Sequence, residues 1–183
     1  VCSTGEDRNF DDLTEKFSSK VYGGLKGDIR LAVIWRDLLA VMPSISGSKP
    51  IRVLDVGGGL GQMSVRLAEL GHCVTYNDLS SNMTATAKRA ATAAGVEHSI
   101  AWHQCAYQDL DAAELGLFDL VLCHAVIEWL DKPEELLRQL IRHSSYGAVI
   151  SLTFYNHNAL VYRNLIRGNF KMLESDFKAD PGS

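Results

Sequence analysis

Nothing in this sequence approaches a membrane span, and its start lacks the apolar core of a secretory signal. A cytoplasmic protein with no membrane partner is the reading that follows. Cysteine is sparse: Cys2, Cys73, Cys105 and Cys123 form no C-x-x-C pair. A disulfide framework is not expected, and the three that fall in strand-like runs read as buried, reduced thiols. The histidines show no metal-ligand spacing, so no metal is expected. No Ser/His/Asp arrangement and no paired acid and base stand out, so nothing points to nucleophilic or general acid–base catalysis. Positive charge is short as well. Lys and Arg total 18 against 22 Asp and Glu, leaving −4, so a nucleic acid would have to be held by a local patch. Repeats and low-complexity tracts are absent, and Val1 rather than Met opens the chain, so residues before it are expected.

What the chain does have is a run of glycines after a strand. Ile51, Val53, Leu54 and Val56 make a short apolar run suited to a strand buried on both faces. Asp55 and the glycines from Gly57 to Gly61 then break it into a tight turn. Gln62 to Leu70 reads as a helix, with Met63, Leu67 and Leu70 on one face and Gly71 as its stop. Glycines let a ligand reach the backbone, and the free N–H groups of the helix start point at it. The next strand, Cys73 to Asn77, ends in Asp78, about twenty residues after the turn, where a ribose-binding carboxylate is expected. A dinucleotide site wants G-x-G-x-x-G, and Gln62 stands in the place of the last glycine. The pattern present, Asp55-x-Gly57-x-Gly59-x-Gly61, resembles the first motif of class I S-adenosylmethionine-dependent methyltransferases.

The remaining elements alternate. A short helix is predicted over Phe10 to Ser18, and the glycine-rich link Val21 to Gly27 fits a flap over a ligand as well as a plain connector. Asp28 can cap a helix from Ile29 to Met42 that is apolar on most sides. Ser80 or Ser81 caps an alanine-rich helix ending at Gly95. Strands follow at Ser99–His103, Phe118–Cys123 and Ala148–Phe154, with a weak helix from Asp109 to Leu115. Pro133 opens a helix whose core face is Leu136, Leu137, Leu140 and Ile141, and Ala159 to Phe170 reads as the last helix. Five strands separated by helices predict one α/β domain over residues 1–183, a doubly wound, mostly parallel Rossmann-like sheet with N-terminal helices, and the resemblance of the glycine motif implies that it is a class I methyltransferase sheet. Such methyltransferases finish with two further strands, and nothing after Phe170 supplies them, so the C-terminal strands are expected to be missing. Ligands of these sheets sit beyond the carboxyl ends of the strands.

Several motifs narrow the resemblance. They are Asp7-Arg-Asn-Phe-Asp-Asp12, Glu15-Lys-Phe-Ser18, Tyr22-Gly23, Lys26-Gly27, Arg30, Arg52-Val-Leu-Asp55, Gly57-Gly-Gly59, Gly61-Gln62, Asp78-Leu-Ser80 and Met83. His124-Ala-Val126 with Glu128-Trp129, Phe154-Tyr-Asn156 and Gly168-Asn-Phe170 complete the set. Together they resemble the bacterial tRNA 5-carboxymethoxyuridine methyltransferases. That resemblance implies S-adenosyl-L-methionine as cofactor and the wobble uridine of a tRNA as substrate, its carboxylate being converted to a methyl ester. It implies Gly57, Gly58 and Gly59 against the methionine part, Arg30 at its carboxylate, and Asp78 on the ribose. Leu79, Met83, Tyr107 and Gln108 would lie about the adenine, and His124 would close the pocket. Glu128 and Trp129 would brace its wall.

Each assignment has a plainer counterpart in the residues alone. Arg30 also fits a solvated helix edge, His124 a hydrogen-bonded core histidine, and Asp78 a helix cap; Asp109 fits a cap as well as an adenine contact. Tyr155 and Asn156, after the fifth strand, are candidate substrate contacts. Arg163, Arg167 and Lys171 recur every four residues, a stripe suited to phosphates and equally to a solvated face. An acceptor carboxylate with a pKa of about 4 is already ionised at neutral pH and needs no general base, so no catalytic residue is assigned. Two other functions fit the sequence: a methyltransferase for a small acidic metabolite or acyl carrier, and a cofactor-binding domain without activity. A nicotinamide oxidoreductase fits least, given Gln62.

Overall fold

Residues 25–170 are described by a computed structural model. The helix expected over Phe10 to Ser18, the first part of the glycine-rich link and Lys171 lie outside them. The elements run in the order α1 (Leu25–Val41), β1 (Arg52–Val56), α2 (Gln62–Glu69), β2 (Cys73–Asn77), α3 (Ser81–Ala93), β3 (Ile100–His103), α4 (Ala112–Leu115), β4 (Phe118–His124), α5 (Pro133–Arg142), β5 (Ser144–Thr153) and α6 (His157–Ile166). All four strand pairings are parallel and the order across the sheet is β3-β2-β1-β4-β5. The chain winds outward from β1 in one direction and, after β4, in the other. The switch between β1 and β4 is where a sheet of this kind opens a crevice for a ligand.

Strand alternation divides the core into two layers. Val53, Val74, Tyr76, Leu120 and Leu122 face α1, α2 and α3, packing on Leu38, Met63, Leu67, Ala87 and Ala91. Leu54, Val56, Val121 and Cys123 face the other way, onto Tyr107, Leu110, Leu136 and Leu140. This two-sided burial is why the strands read as apolar runs rather than as alternating ones. Arg66 of α2 also stacks its guanidinium 3.8 Å above the Trp35 ring, tying α2 to α1.

Several sequence expectations are revised. The first helix already includes Leu25 to Gly27, so Asp28 lies in its first turn instead of capping it; a glycine costs a helix only about 1 kcal/mol, which packing overrides. That helix buries one side only, leaving Ile29, Val33 and Val41 exposed. Leu70, Leu137 and Ile141 are exposed too, whereas Leu67, Leu136 and Leu140 are buried, because one contact stripe takes the positions four apart. Cys73 is exposed while Cys123 is buried, and the three described cysteines are free. β5 begins at Ser144, four residues before the expected start. Its register against β4 jumps between the pairs Phe118–Ser144 and Leu120–Val149, an irregularity around Gly147 that no local pattern announces. Ser80, not Ser81, caps α3, its Oγ accepting from the Met83 N–H. The last helix is shorter than expected, capped by Asn156 and stopped by Gly168, which takes a positive φ.

Gly61 joins the first crossover to the second. Its φ is 76°, and a Cβ placed on it would fall 2.7 Å from the Cβ of Ala87 in α3. Gly61→Ala should therefore lower stability by about 2–4 kcal/mol, the sum of a left-handed backbone and an overpacked contact. The urea midpoint reads this out; an unchanged midpoint would show that α2 and α3 can part without cost.

Candidate functional site

β1 delivers the glycine loop at the middle of the sheet, and β2 holds it there. The Gly58 N–H donates to the Asn77 carbonyl at 2.9 Å. The Gly59 N–H donates to Asp78 Oδ2 at 2.8 Å, and the Tyr76 hydroxyl donates to the Gly59 carbonyl at 2.7 Å. The other oxygen of Asp78 accepts from the Ser80 N–H at 2.8 Å, so one carboxylate links the loop to the start of α3. Asn77 reaches the opposite way, its Nδ2 donating to the Cys105 carbonyl at 2.8 Å and fixing the loop that carries Tyr107 and Gln108.

The four glycines differ in what surrounds them. A Cβ on Gly57 would fall 2.4 Å from Val126 Cγ2, and one on Gly58 would fall 2.6 Å from the Tyr76 ring. These two are required by packing within the protein. A Cβ on Gly59 would meet nothing closer than 4.0 Å. That is the side of the loop open to a ligand.

Beside the loop, Arg30, Leu31, Asp55, Gly57, Gly58, Gln62, His124, Ala125 and Thr153 are among the residues that line a cleft. It encloses about 390 Å³ counting its open mouth. This is a narrow slot between α1 and the ends of β1 and β4. Of the predicted site residues, it brings together Arg30, Gly57, Gly58 and His124, with Gly59 and Asp78 bonded next to it. Leu79, Met83, Tyr107 and Gln108 lie outside the cleft lining. Leu79 is 38% exposed, whereas Met83 and Tyr107 are 4% and 7% exposed, and Tyr107 packs in the second core layer. Tyr155 is half exposed beyond the end of β5. Asn156 spends its Oδ1 capping α6, accepting from the Asn158 N–H at 2.9 Å. Arg163 and Arg167 are exposed, one on α6 and one at its C-cap.

Burial sets the charge of the cleft. Desolvation pushes His124 down to about 4, so its ring is neutral at physiological pH, with Nε2 2.8 Å from the Ser151 hydroxyl. Desolvation raises Asp55 to about 6, the Ser64 hydroxyl opposing this by donating to Oδ2 at 2.6 Å and the charge of Asp78 adding to it. The residues that local reading missed are Asp55 as a lining group, Tyr76, Asn77, Ser64 and Val126. A tyrosine and an asparagine directly before the acid of a buried strand were a usable signal, since buried polar groups must find partners. No three His, Cys, Asp or Glu among the described residues cluster as metal ligands.

The model of one family, described as a methyltransferase domain, matches residues 54–152, from β1 through β5. The chain belongs to the methyltransferase domain family. It is 43% identical over 170 residues to the tRNA 5-carboxymethoxyuridine methyltransferase of Escherichia coli (strain K12), covering 93% of this chain and 65% of that protein. The chain therefore spans about two thirds of the length of that relative. To the ubiquinone biosynthesis O-methyltransferase of Xanthomonas axonopodis pv. citri (strain 306) it is 29% identical over 117 residues, 64% of this chain and 48% of that one. Among solved structures, magnesium protoporphyrin IX methyltransferase from Synechocystis PCC 6803 matches with a TM-score of 0.60 at 20% identity, over 74% of this chain and 68% of that one. The plantazolicin methyltransferase BpumL matches at 0.61 and 21% identity, over 85% and 58%. The fold of this methyltransferase domain is thus the class I one that its sequence predicts.

A pH experiment follows from Asp55. Below about pH 4 its carboxyl is protonated in folded and unfolded chains alike. Between about 4 and 6 the unfolded chain releases the proton and the folded one keeps it, so this group's contribution falls as pH rises, by on the order of 3 kcal/mol in all. Asp55→Asn keeps an acceptor for Ser64 and removes the titration. Its melting temperature relative to wild type should climb from pH 4 to 6 and level off above. A constant difference across that range would overturn the assignment.

Proposed function

We propose that this chain belongs to an S-adenosylmethionine-dependent methyltransferase that converts the carboxylate of 5-carboxymethoxyuridine, at the wobble position of a tRNA, to its methyl ester. The observation that carries the reading is the 43% identity to the Escherichia coli enzyme over 93% of this chain. So much of the chain is aligned that the likeness cannot be confined to the glycine-loop half. It takes in β4, β5 and α6 as well.

The residues present fit the nucleoside. Gly59 leaves an open backbone face, a partly exposed carboxylate stands beside it, and a narrow slot lined by Arg30, Gly57, Gly58 and His124 adjoins both. Bound there, S-adenosylmethionine supplies a methyl group on a positively charged sulfur. Arg30 would hold its carboxylate, and Gly57, Gly58 and Gly59 would lie against its methionine part. Asp78 would take the ribose, with Leu79 and Gln108 toward the adenine and Met83 and Tyr107 supporting from beneath. His124, being neutral, closes the slot without adding a positive charge that would repel the sulfonium. The acceptor is an anion at neutral pH, so the protein has no proton to remove; its part is to place the two reactants in line and to exclude water.

A feature of the acceptor side supports an RNA substrate. From Leu136 to Phe170 the chain contains Arg138, Arg142, Arg163 and Arg167 and not one aspartate or glutamate, although the whole carries −4. All four arginines are exposed, and among the described residues neither Arg163 nor Arg167 has an acidic partner. The negative charge is gathered elsewhere, which leaves α6 free to meet phosphates.

Two measurements test the reading. Titration calorimetry with S-adenosylmethionine should show Asp78→Ala losing at least about tenfold in affinity, the cost of a charged hydrogen-bond acceptor; unchanged binding would refute the ribose assignment. For the RNA, Arg163→Ala with Arg167→Ala should weaken binding of tRNA carrying carboxymethoxyuridine and flatten the slope of log affinity against log salt by about 1–2. An unaltered slope would remove α6 from the RNA surface. Equal methylation of tRNA lacking the carboxymethoxy group would remove the carboxylate as acceptor.

A further inference from the structure

We infer that Glu128 is a positioning residue for the acceptor side of this site, and that its carboxylate stands in for a missing rung of the sheet. The inference rests on the function proposed above. β4 and β5 pair in parallel as far as His124 with Thr153. His124 Nε2 lies 2.8 Å from the Ser151 hydroxyl, and the Ala125 N–H donates to the Thr153 carbonyl at 2.9 Å. In a parallel ladder the next rung would run from the Tyr155 N–H to the carbonyl of Ala125. That rung is not made. Ala125 turns to a φ of 57°, the one positive value at a non-glycine residue among those described, and β4 ends there. The Tyr155 N–H donates instead to Oε1 of Glu128.

Three observations make this more than a loop contact. A non-glycine residue at positive φ is strained, and such strain persists only where its surroundings enforce it. Ala125 also lines the cleft, and its neighbour Val126 presses on Gly57 so closely that no Cβ fits between them. The second oxygen of Glu128 is buried with no hydrogen-bond partner, a cost that a merely structural contact could avoid with a smaller or neutral acceptor. The segment from Ala125 to Glu128 therefore touches the nucleoside loop at one end and holds Tyr155 at the other. Asn156, next in sequence, caps α6, so the grip on Tyr155 also sets where Arg163 and Arg167 lie. Glu128 places the acceptor-side elements relative to the glycine loop without itself entering the reaction.

The test uses Glu128→Ala and Glu128→Gln in the full-length chain. Glutamine keeps an oxygen that can accept from Tyr155, whereas alanine does not. With tRNA carrying carboxymethoxyuridine, alanine should lower kcat/KM for the RNA by about 10- to 100-fold, as a misplaced reactant does. S-adenosylmethionine affinity should stay within about twofold of wild type, and glutamine should restore kcat/KM to within a few-fold. Hydrogen exchange at the Tyr155 amide should quicken in the alanine variant and stay slow in the glutamine one. Loss of nucleoside affinity in step with kcat/KM, or a glutamine variant as damaged as the alanine one, would overturn the inference. So would unchanged exchange at Tyr155. Should wild type fail to methylate that RNA, the proposed function falls, and the exchange measurement still decides whether Glu128 holds Tyr155.

Discussion

The structure depends on the way β2 holds the loop that leaves β1. A stretch of five residues with four glycines has little conformational preference of its own, and each glycine gives up more backbone entropy on folding than another residue would. The hydrogen bonds of Gly58 and Gly59 to Asn77, Asp78 and Tyr76 supply what the loop lacks. Those partners are consecutive at the end of β2, so the parallel pairing of β1 with β2, which sets Val56 against Asn77, also fixes the loop. Fold and site share one set of contacts.

The same economy explains the division of labour among the glycines. Gly57, Gly58 and Gly61 make room for Val126, Tyr76 and Ala87, while Gly59 alone leaves its Cβ side open. A pattern that reads as a nucleotide-binding motif is thus in large part a packing motif, and the ligand face is what remains after the protein has claimed its share. The buried Asp55 beneath the loop shows the cost of this crowding. Its carboxyl is held off water, steadied by Ser64, and harder to ionise than an exposed one.

Much of this was legible along the chain. Apolar runs of about five residues announced strands covered on both faces, and the glycines and Asp78 fell at the ends of the first two. Pro133 and Ser80 marked helix starts that the structure keeps. Legibility failed where a neighbour in space overrode a local signal. Gly27 did not hold back the start of α1, and the long irregular β5 followed pairing with β4 rather than its own residues. Tyr107 packs its ring in the core and Asn156 spends its oxygen on a helix end, contacts that no local pattern names.

By itself the sequence determined the elements whose causes are short-range: the strand, the glycine turn, the helix after it and the acid that follows, because each rests on backbone freedom and on residues a few positions apart. Only the tertiary structure decided which side chains meet there. Arg30 and His124 share one slot, Val126 closes on Gly57, and Glu128 reaches Tyr155 across 27 positions. Such meetings are set by the register of adjacent strands and the angle at which helices cross them. Those are properties of packed layers, which no window along a single chain contains.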